Sequence, residues 1–297
     1  MTITVGFLSE KGGVGKTTTA YHVAIGLRRF HEKRVLVVDT DYQRGGLTCR
    51  LIPSMLENFR LGEVTDITLY RAYRALYSGE TTLPPLTVLP TSSGVDIVPA
   101  DPRLGSISVD KMPPTNTILG NNQMLMRHLS LVADALSALP APSYDYILID
   151  SHPDLSDLER AVIYASDYVV SPVKLDQQSA IGVPSTVEAI KSVNSDVKAV
   201  NQMIGGDPHY KDTQFLGAIG MMCREYGLSL KYSEQLIYNR LQQTTGIFNN
   251  YVTEGDGLRL AAQEQCAVYD ISGANADRQS LQYRSMINEL ISKIPTP

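Results

Sequence analysis

A glycine-rich segment near the N-terminus has the residue types that bind phosphate groups. Residues 11–18 read KGGVGKTT and follow an apolar run over residues 3–8. Glycines let backbone N–H groups curl around phosphate oxygens, and the N-terminus of a following helix adds aligned donors. The general pattern G-x-x-x-x-G-K-[ST] requires a glycine at position 10, where this chain has Glu10, but its second half is intact. Lys16 can therefore reach phosphate oxygens, and the Thr17 hydroxyl can bind Mg²⁺.

Three aspartates stand where two further apolar runs end. Asp39 and Asp41 follow RVLVV, and Asp150 ends YDYILID. In an open α/β sheet, ligands bind at the carboxyl ends of the strands. Carboxylates at these ends, beside a phosphate-binding loop, are suited to hold Mg²⁺ or its waters and to orient an attacking water.

Strands and helices that alternate along the chain must position these residues. The glycine-rich segment lies between an apolar strand and a helical pattern over residues 17–30, and RVLVVD follows as the next strand. This order predicts one doubly wound α/β domain over residues 1–297, with a mostly parallel sheet and helices on both faces. Residues 247–252, IFNNYV, are predicted as a final strand, and residues 275–294 as a last helix. Residues 47–142 are less regular, and no separate N-terminal helix-turn-helix domain is expected.

Composition limits the class of protein and predicts a cytoplasmic location. The 297 residues carry a net charge of −5, and 43% are hydrophobic, so disorder is excluded. The three cysteines, which lie far apart, favour a reducing compartment: Cys49, Cys223 and Cys266. The N-terminus lacks the pattern of a signal peptide, and no run approaches the ~20 apolar residues of a membrane span. No basic tail is present, so nucleic-acid binding cannot be inferred from composition.

Three motifs in this order, KGGVGKTTT, VLVVDTDYQRG and YDYILIDSHPDL, resemble those of the deviant Walker A ATPases. The resemblance is strongest to the ParA/Soj partition proteins, whose sister branch is MinD, and it extends over most of the chain. It implies a P-loop ATPase that uses ATP and Mg²⁺ and forms a homodimer with ATP sandwiched at the interface. It further implies that the ATP-bound dimer binds non-specific DNA, associates with the nucleoid and is released after hydrolysis stimulated by a ParB-like adaptor.

The resemblance assigns roles to the residues of the phosphate-binding segment. Lys11 matches the signature lysine that reaches the partner's nucleotide across the dimer interface, which makes it catalytic together with Lys16. Lys16 matches the P-loop lysine, and Thr17 matches a Mg²⁺ ligand. The nucleotide-binding residues implied by the motif are Lys11, Gly12, Gly13, Val14, Gly15, Lys16, Thr17 and Thr18.

The same resemblance assigns the three aspartates. Asp39 is expected near the metal ion. Asp41 matches the aspartate that positions the hydrolytic water and is therefore catalytic. Asp150 matches the Walker B aspartate, which in this family usually acts on Mg²⁺ through water.

The chain departs from the family pattern at two positions. The family often has Asp-Leu-Asp-Pro-Gln after its second strand, and here Tyr42 replaces the proline. After the Walker B aspartate the family often has Thr-Pro-Pro, and here His152 replaces the first proline. Tyr42 changes the stiffness of its loop more than its chemistry. His152 is either an ordinary loop residue or a group that tunes the loop near the phosphates.

The DNA contacts are assigned from weaker matches in the C-terminal half. Arg224 and Arg259 match the arginines with which the family contacts DNA, and Lys231 lies nearby in sequence. Residues 151–297 carry 12 basic and 17 acidic side chains, so any DNA-binding face requires these cations to gather on one side. Each of them is otherwise an ordinary solvated side chain.

Other members of the fold remain as alternative functions. A MinD-like protein ends in a basic amphipathic helix, but residues 280–297 carry few basic residues, so a membrane partner is not expected. An ATPase that positions a protein cargo would use the same site. A small-molecule kinase or ligase would need a substrate pocket, for which residues 47–142 have the length. A nitrogenase-type iron protein would need a cysteine just after the Walker B strand, and none is there.

Overall fold

A seven-stranded sheet lies at the centre of the computed structural model, which describes residues 2–43, 46–139, 144–154, 156–205 and 210–295. The strand order is β3-β4-β2-β5-β1-β6-β7, and all pairs are parallel except the edge pair β3–β4. The strands of this sheet, in chain order, are β1 Ile3–Phe7, β2 Val35–Asp39, β3 Leu89–Pro90, β4 Asp96–Val98, β5 Tyr146–Asp150, β6 Tyr168–Val173 and β7 Gln214–Gly220. A separate two-stranded hairpin consists of β8 Glu225–Tyr226 and β9 Ser229–Leu230.

Ten α-helices surround the sheet in the described part of the chain. They are α1 Lys16–His31, α2 Gly46–Leu51, α3 Leu56–Leu61, α4 Leu69–Tyr77, α5 Ile118–Ser137, α6 Asp157–Ala165, α7 Gln177–Ile204, α8 Tyr232–Gln243, α9 Asp256–Gln263 and α10 Ala274–Lys293. The less regular segment 47–142, whose last three residues lie outside the described residues, contains α3, α4, α5 and the edge strands.

The helices cover both faces of the sheet, as the sequence predicts. Successive side chains of a strand point to opposite faces, so each buried strand supplies two cores. In β2, Val35 and Val37 lie in a core that includes residues of α1 and α10. Leu36 and Val38 lie in the opposite core, with residues of α4, α5, α6 and α7. The nearly continuous apolar runs of these strands therefore reflect burial on both sides.

The register of the central strands brings the predicted aspartates together. Asp150 at the end of β5 is paired with Phe7 of β1 on one side and with Asp39 of β2 on the other. The loops that follow β1, β2 and β5 therefore leave the sheet side by side at the same edge. This arrangement places the glycine-rich segment next to the two carboxylate-bearing loops.

The predicted final strand at residues 247–252 is wrong in extent. The structure has only an isolated bridge, between Ala218 and Ile247, in this segment. The reason is a competing acceptor, because the Glu289 carboxylate of α10 accepts hydrogen bonds from the backbone N–H groups of Asn249 and Asn250, at 2.8 and 2.9 Å. Backbone donors that are paired with a side chain do not extend a ladder.

The last helix, α10, packs against the body of the protein. Met286 and Leu290 are fully buried and Ile294 is nearly so, whereas Leu281 on the same helix is exposed. The three buried side chains belong to the core that also contains α1. Within the described residues, no helix is both long enough and apolar enough to cross a bilayer.

A buried histidine connects α1 to the C-terminal part of the chain and predicts a loss of stability in acid. The His22 Nε2 accepts a hydrogen bond from Val268 N at 3.1 Å, so Nδ1 carries the proton and donates to Thr18 O at 2.8 Å. Burial, together with the positive charge of Arg50, lowers the pKa of His22 to about 3. The unfolded chain therefore binds a proton below pH ~6.5 that the folded chain rejects. We expect His22 alone to reduce the free energy of unfolding by about 2 kcal/mol between pH 7 and pH 5.

Urea unfolding of the unaltered chain and of His22→Gln at both pH values measures this effect. The variant should be less stable at pH 7, because it loses the two hydrogen bonds, and its stability should fall less on acidification. Equal losses for the two proteins between pH 7 and pH 5 would show that His22 is not the responsible group.

Candidate functional site

The glycine-rich loop between β1 and α1 has the backbone shape that its sequence predicts. Gly13 and Gly15 adopt positive φ angles of 75° and 98°, a region that side-chain-bearing residues rarely enter. α1 begins directly after Gly15, at Lys16, and its first turn contains no acidic residue. The first N–H groups of the helix have no partner inside the helix and carry a partial positive charge. The loop is therefore suited to an anion.

A cavity of about 410 Å³ opens in front of this loop. Three loops contribute to its wall, those after β1, β2 and β5. The lining residues are Gly12, Gly13, Val14, Gly15, Lys16, Thr17, Thr18, Asp41, Gln43, Gly46, His152 and Pro153. The structure thus brings the predicted nucleotide-binding segment, except Lys11, together with Asp41.

Lys16 is buried at the floor of the glycine-rich loop. Its side chain is only 7% exposed, and Nζ donates a hydrogen bond to Ser9 O at 3.0 Å. Burial lowers the pKa of Lys16, and the negative charges of Asp150 and Glu159 oppose that shift. A buried ammonium group beside an open anion cavity requires negative charge to compensate it. A bound phosphate would supply that charge.

Asp150 has the properties of a cation ligand. It is fully buried, and neither carboxylate oxygen accepts a hydrogen bond within the described part of the chain. Burial, followed by the charge of Asp39, raises the pKa of Asp150 well above its usual range, against smaller opposing effects of Thr17 and Lys16. A carboxylate of this kind is stabilised by a divalent cation or by its coordinated water. The Asp150–Thr17 pair therefore fits Mg²⁺.

Side chains from the described residues do not form a complete metal cage by themselves. Among the described residues, no group of three or more His, Cys, Asp or Glu side chains is arranged to hold a metal ion. Mg²⁺ characteristically keeps several waters and takes one or two protein ligands plus phosphate oxygens. The arrangement at Asp150 and Thr17 agrees with that mode of binding.

Asp39 holds the loop that carries Asp41. Its Oδ2 accepts hydrogen bonds from Thr48 N and Thr48 Oγ1, both at 2.7 Å, and its Oδ1 accepts one from Asp41 N at 3.0 Å. Burial raises the pKa of Asp39 to about 6, although the hydrogen bonds from Thr48 act in the opposite direction. The structure thus gives Asp39 a task that the sequence did not indicate, the shaping of the loop between β2 and α2.

Asp41 itself faces the cavity. It lines the wall, is 8% exposed, and accepts a hydrogen bond from Gln43 N through Oδ1 at 3.1 Å. Asp41 therefore belongs to the same cavity wall as the phosphate-binding segment.

Lys11 is directed away from its own cavity. It is absent from the lining residues, and its side chain is 39% exposed. Its Nζ lies 3.7 Å from Asp176 Oδ1 and 3.4 Å from Gln178 Oε1, at the N-terminus of α7. Lys11 therefore contacts the start of α7 and does not contribute to the cavity wall.

A second cavity, of about 380 Å³, adjoins the first and was not predicted from the sequence. Gly15 and Thr18 line both cavities, so the two share the start of α1. Its wall also contains the segment after β7 and the beginning of α9. These lining residues are Arg50, Met221, Met222, Thr253, Glu254, Gly255, Asp256, Leu258, Arg259, Ala262 and Gln279. They converge from positions more than 200 residues apart in sequence, which no local pattern reveals.

Glu159 is a further group near Lys16 that sequence reasoning missed. It lies in the first turn of α6, is 3% exposed, and its Oε2 has no hydrogen-bond partner within the described residues. Burial raises the pKa of Glu159 to about 8, although the positive charge of Lys16 opposes the shift. At neutral pH this side chain is therefore mainly a neutral acid close to the anion cavity.

We expect the protonation of Glu159 to control how tightly phosphates bind. Below pH ~8 the side chain is neutral, and above it a negative charge appears near the cavity and repels an anionic ligand. The affinity for ADP should therefore fall about three- to tenfold between pH 7 and pH 9. Calorimetric titration of the unaltered chain, of Glu159→Gln and of the exposed control Glu57→Gln measures this dependence. A Glu159→Gln variant that keeps the full pH dependence would assign it to another group.

The predicted DNA contacts are exposed but partly neutralised by neighbours. Arg224 Nε donates to Glu234 Oε1 at 2.6 Å, and Arg259 Nη2 pairs with Asp256 Oδ1 at 2.9 Å. Arg259 also lines the second cavity. Lys231 lies exposed immediately before α8. Arg224 and Lys231, near the β8–β9 hairpin, line neither of the two cavities.

Comparison with known proteins yields a consistent set of relatives. A family model described as an AAA domain matches residues 2–204. A ParA family protein of Chlamydia muridarum is 25% identical over 198 residues, which are 65% of this chain and 66% of that relative. The chromosome-partitioning ATPase Soj of Thermus thermophilus is 27% identical over 201 residues, 68% of this chain and 66% of the relative. The chain thus matches just under two thirds of the length of these relatives.

Solved structures agree on the fold. The McdA–ATP complex of Cyanothece covers all of this chain and 98% of its own, with a TM-score of 0.72 and 19% identity. Cobyrinic acid a,c-diamide synthase of Mycobacterium smegmatis, with ADP and magnesium, covers 100% of this chain and 99% of its own, with a TM-score of 0.62 and 20% identity. At these identities the likeness concerns the fold of the chain.

Proposed function

This chain belongs to the family that the AAA domain model describes, within the ParA/MinD superfamily of P-loop ATPases, and on that premise we propose that it is an ATP-dependent switch that segregates DNA. In this proposal the chain dimerises around ATP, binds non-specific DNA in that state, associates with the nucleoid, and is released after hydrolysis. A ParB-like adaptor stimulates the hydrolysis. The relatives of known name that support this reading are a ParA family protein and a chromosome-partitioning ATPase.

The nucleotide occupies the two adjoining cavities. The phosphates lie against the backbone of Gly12–Thr18 and the N-terminus of α1, where N–H donors and the helix dipole meet them. Sugar and base extend into the second cavity, whose wall includes the apolar side chains of Met221, Met222 and Leu258. Thr18 and Gly15, which line both cavities, mark the passage between them.

Hydrolysis depends on groups that stabilise charge and orient water. Lys16 leaves its contact with Ser9 O for the β- and γ-phosphate oxygens. Thr17 and Asp150 would hold Mg²⁺ directly or through water, and the ion would supply positive charge to the phosphate oxygens. Asp41 accepts a hydrogen bond from the attacking water and directs it at the γ-phosphate, in the position that Asp39 sets through its bond to Asp41 N.

The orientation of Lys11 is the observation that carries the dimer in this proposal. Lys11 is 39% exposed, contacts Asp176 and Gln178 and does not line its own cavity, so this proposal gives it no role at its own phosphates. Two copies placed face to face would bring each Lys11 to the other's cavity, where the phosphates offer it a stronger partner than Asp176 does. Charge at the leaving phosphate is then stabilised by lysines from both chains.

No observation in this structure specifically favours any of the alternative functions. The synthase with the same fold shows that the scaffold also serves small-molecule chemistry, but its identity of 20% supports the fold alone. An ATPase that positions a protein cargo, or a MinD-like protein, would use the same nucleotide site, and the experiment below separates these from a DNA-binding switch.

Binding to a non-specific DNA duplex tests the proposed function. We expect binding with a non-hydrolysable ATP analogue, little or none with ADP, and a steep loss of affinity as salt rises from 50 to 200 mM, because phosphate contacts release counterions. Lys231→Ala should weaken binding similarly on all sequences and reduce the salt slope by about 1. Lys191→Ala, an exposed lysine of α7 paired with Glu188, is the matched control.

The result that contradicts the DNA role is an absence of duplex binding in every nucleotide state. Anionic liposomes are then the next surface to test, because a MinD-like protein binds them in its ATP state. Binding that is equal with ADP and with the triphosphate analogue would contradict the switch itself.

A further inference from the structure

The two positions at which the chain departs from the family pattern contact each other. Tyr42 follows Asp41 on the loop after β2, and His152 follows Asp150 by two residues on the loop after β5. Their rings stack with centroids 4.2 Å apart and an interplanar angle of 24°. Two replaced prolines, 110 positions apart in sequence, therefore form one aromatic pair between the two loops.

Asp154 joins the same pair through hydrogen bonding and charge. The Tyr42 hydroxyl donates to Asp154 Oδ2 at 2.5 Å, and His152 Nδ1 lies 3.2 Å from the same oxygen. Burial would raise the pKa of Asp154, but the hydrogen bond from Tyr42 and the other polar contacts outweigh it and lower the pKa. Asp154 is therefore ionised and suited to accept from the Tyr42 hydroxyl.

The surroundings fix the Tyr42 ring in this place. A Cβ at Gly105, in the segment between β4 and α5, would lie 2.7 Å from Tyr42 Cδ2, so the ring lies directly on the Gly105 backbone. His152, which stacks on the same ring, is 7% exposed and lines the phosphate cavity. Tyr42 thus lies between the irregular segment and the nucleotide site.

The physical consequence concerns Asp41. A proline fixes its own φ angle and stiffens a loop locally, whereas a tyrosine leaves the backbone freer and must be held by its contacts. The stack and the hydroxyl bond to Asp154 supply that restraint by connecting the Asp41 loop to the Asp150 loop. The distance between the water-orienting group and the metal-binding group then depends on a side-chain contact.

We infer that Tyr42, His152 and Asp154 form an interloop latch that positions Asp41 relative to Asp150 for hydrolysis, an inference that rests on the proposed function. The three act as positioning residues. The latch sets the rate of hydrolysis and leaves nucleotide affinity largely unchanged, because the glycine-rich loop and Lys16 bind the phosphates without it.

Steady-state ATP hydrolysis by full-length variants tests the latch. Tyr42→Ala and His152→Ala should each lower kcat about tenfold, and Tyr42→Ala, at a residue that does not line the phosphate cavity, should change the KM for ATP less than about twofold. The double variant should be no slower than the slower single variant, because both changes open the same contact. His152→Phe, which keeps the stack, should recover most of kcat. Gly105→Ala, which pushes against the ring from outside both loops, should lower kcat in the same way.

A matched control separates positioning from general stability. Tyr210 and Tyr164 form a comparable stacked pair, with centroids 5.0 Å apart, away from the nucleotide site. Tyr210→Ala should reduce the free energy of unfolding without changing kcat. If the Tyr42 and His152 variants retain full kcat, or if their effects multiply in the double variant, the latch is refuted.

A second readout does not require hydrolysis. The chain contains no tryptophan, so Tyr42→Trp introduces a single fluorophore at the latch. Its emission should change when a non-hydrolysable ATP analogue replaces ADP, and His152→Ala in the same background should abolish that change. If His152→Ala leaves the nucleotide-dependent change in emission intact, the latch is refuted even if the unaltered chain hydrolyses ATP. A chain that binds nucleotide but never hydrolyses it refutes the proposed function instead, whatever the fluorescence shows.

Discussion

Replacing Lys16 with alanine is expected to lower the affinity for ATP by about two orders of magnitude, because the variant loses the buried cation that pairs with the phosphates. Lys16 is 7% exposed, and the negative charges of Asp150 and Asp41 act on it. Without the ammonium group, the charge on these two carboxylates is no longer offset and repels the phosphates that approach the loop. The loss therefore combines a missing attraction with a new repulsion. Equilibrium binding of a fluorescent ATP analogue measures it directly.

The matched control for Lys16 is Lys191→Ala, which removes one positive charge from the exposed surface of α7. Because surface charges contribute little and are screened by salt, this variant should bind nucleotide as the unaltered chain does. If Lys16→Ala also binds ATP with unchanged affinity, the cavity in front of the glycine-rich loop is not the phosphate site.

Replacing Asp41 with alanine should abolish hydrolysis while leaving ATP bound. The expected loss in the single-turnover rate is at least about a hundredfold, the range typical of a positioned general base. Asp41 lines the cavity but is not part of the glycine-rich loop, so phosphate binding should persist. The variant should then remain in the ATP-bound dimer, because the step that ends that state is missing. Rapid-quench measurement of phosphate release, with nucleotide binding measured in parallel, separates the two effects.

An exposed aspartate provides the comparison for Asp41. Asp110→Ala changes the same side chain on the surface of the irregular segment, and it should hydrolyse ATP at the normal rate. Normal hydrolysis by Asp41→Ala would show that another group orients the water, and the role given to Asp41 would be wrong.

The parts of the site that lie on one continuous segment could be predicted from sequence, because local chemistry determines them. Gly13 and Gly15 have the positive φ angles that only glycine adopts readily, and α1 begins directly after them. The sequence indicates Asp39 and Asp150 because β2 and β5 are continuous apolar runs, each of which ends in a carboxylate. The two strands are paired in parallel, so both carboxylates lie at the same sheet edge. Their convergence follows from the parallel register alone.

Features that depend on contacts between distant segments could not be predicted. Glu159 looked like any helical glutamate, and only the packing of α6 beside the loop buries it. The predicted strand at 247–252 did not form because Glu289, some 40 residues later, takes its backbone donors. The replaced prolines at Tyr42 and His152 were visible separately, but their stacking needed the structure. Such contacts are properties of the folded chain and leave no periodic signal.

Sedimentation velocity in different nucleotide states tests the central claim, that ATP joins two copies of this chain, most directly. The Asp41→Ala variant, in which ATP persists, is sedimented in three separate runs. One contains ATP, one a non-hydrolysable analogue, and one ADP. We expect a monomer with ADP and a dimer with either triphosphate, and we expect that Lys11→Ala added to the same variant weakens the dimer while each chain still binds ATP. A single species of unchanged mass in all three nucleotide states, with nucleotide bound, would show that ATP does not join two copies of the chain.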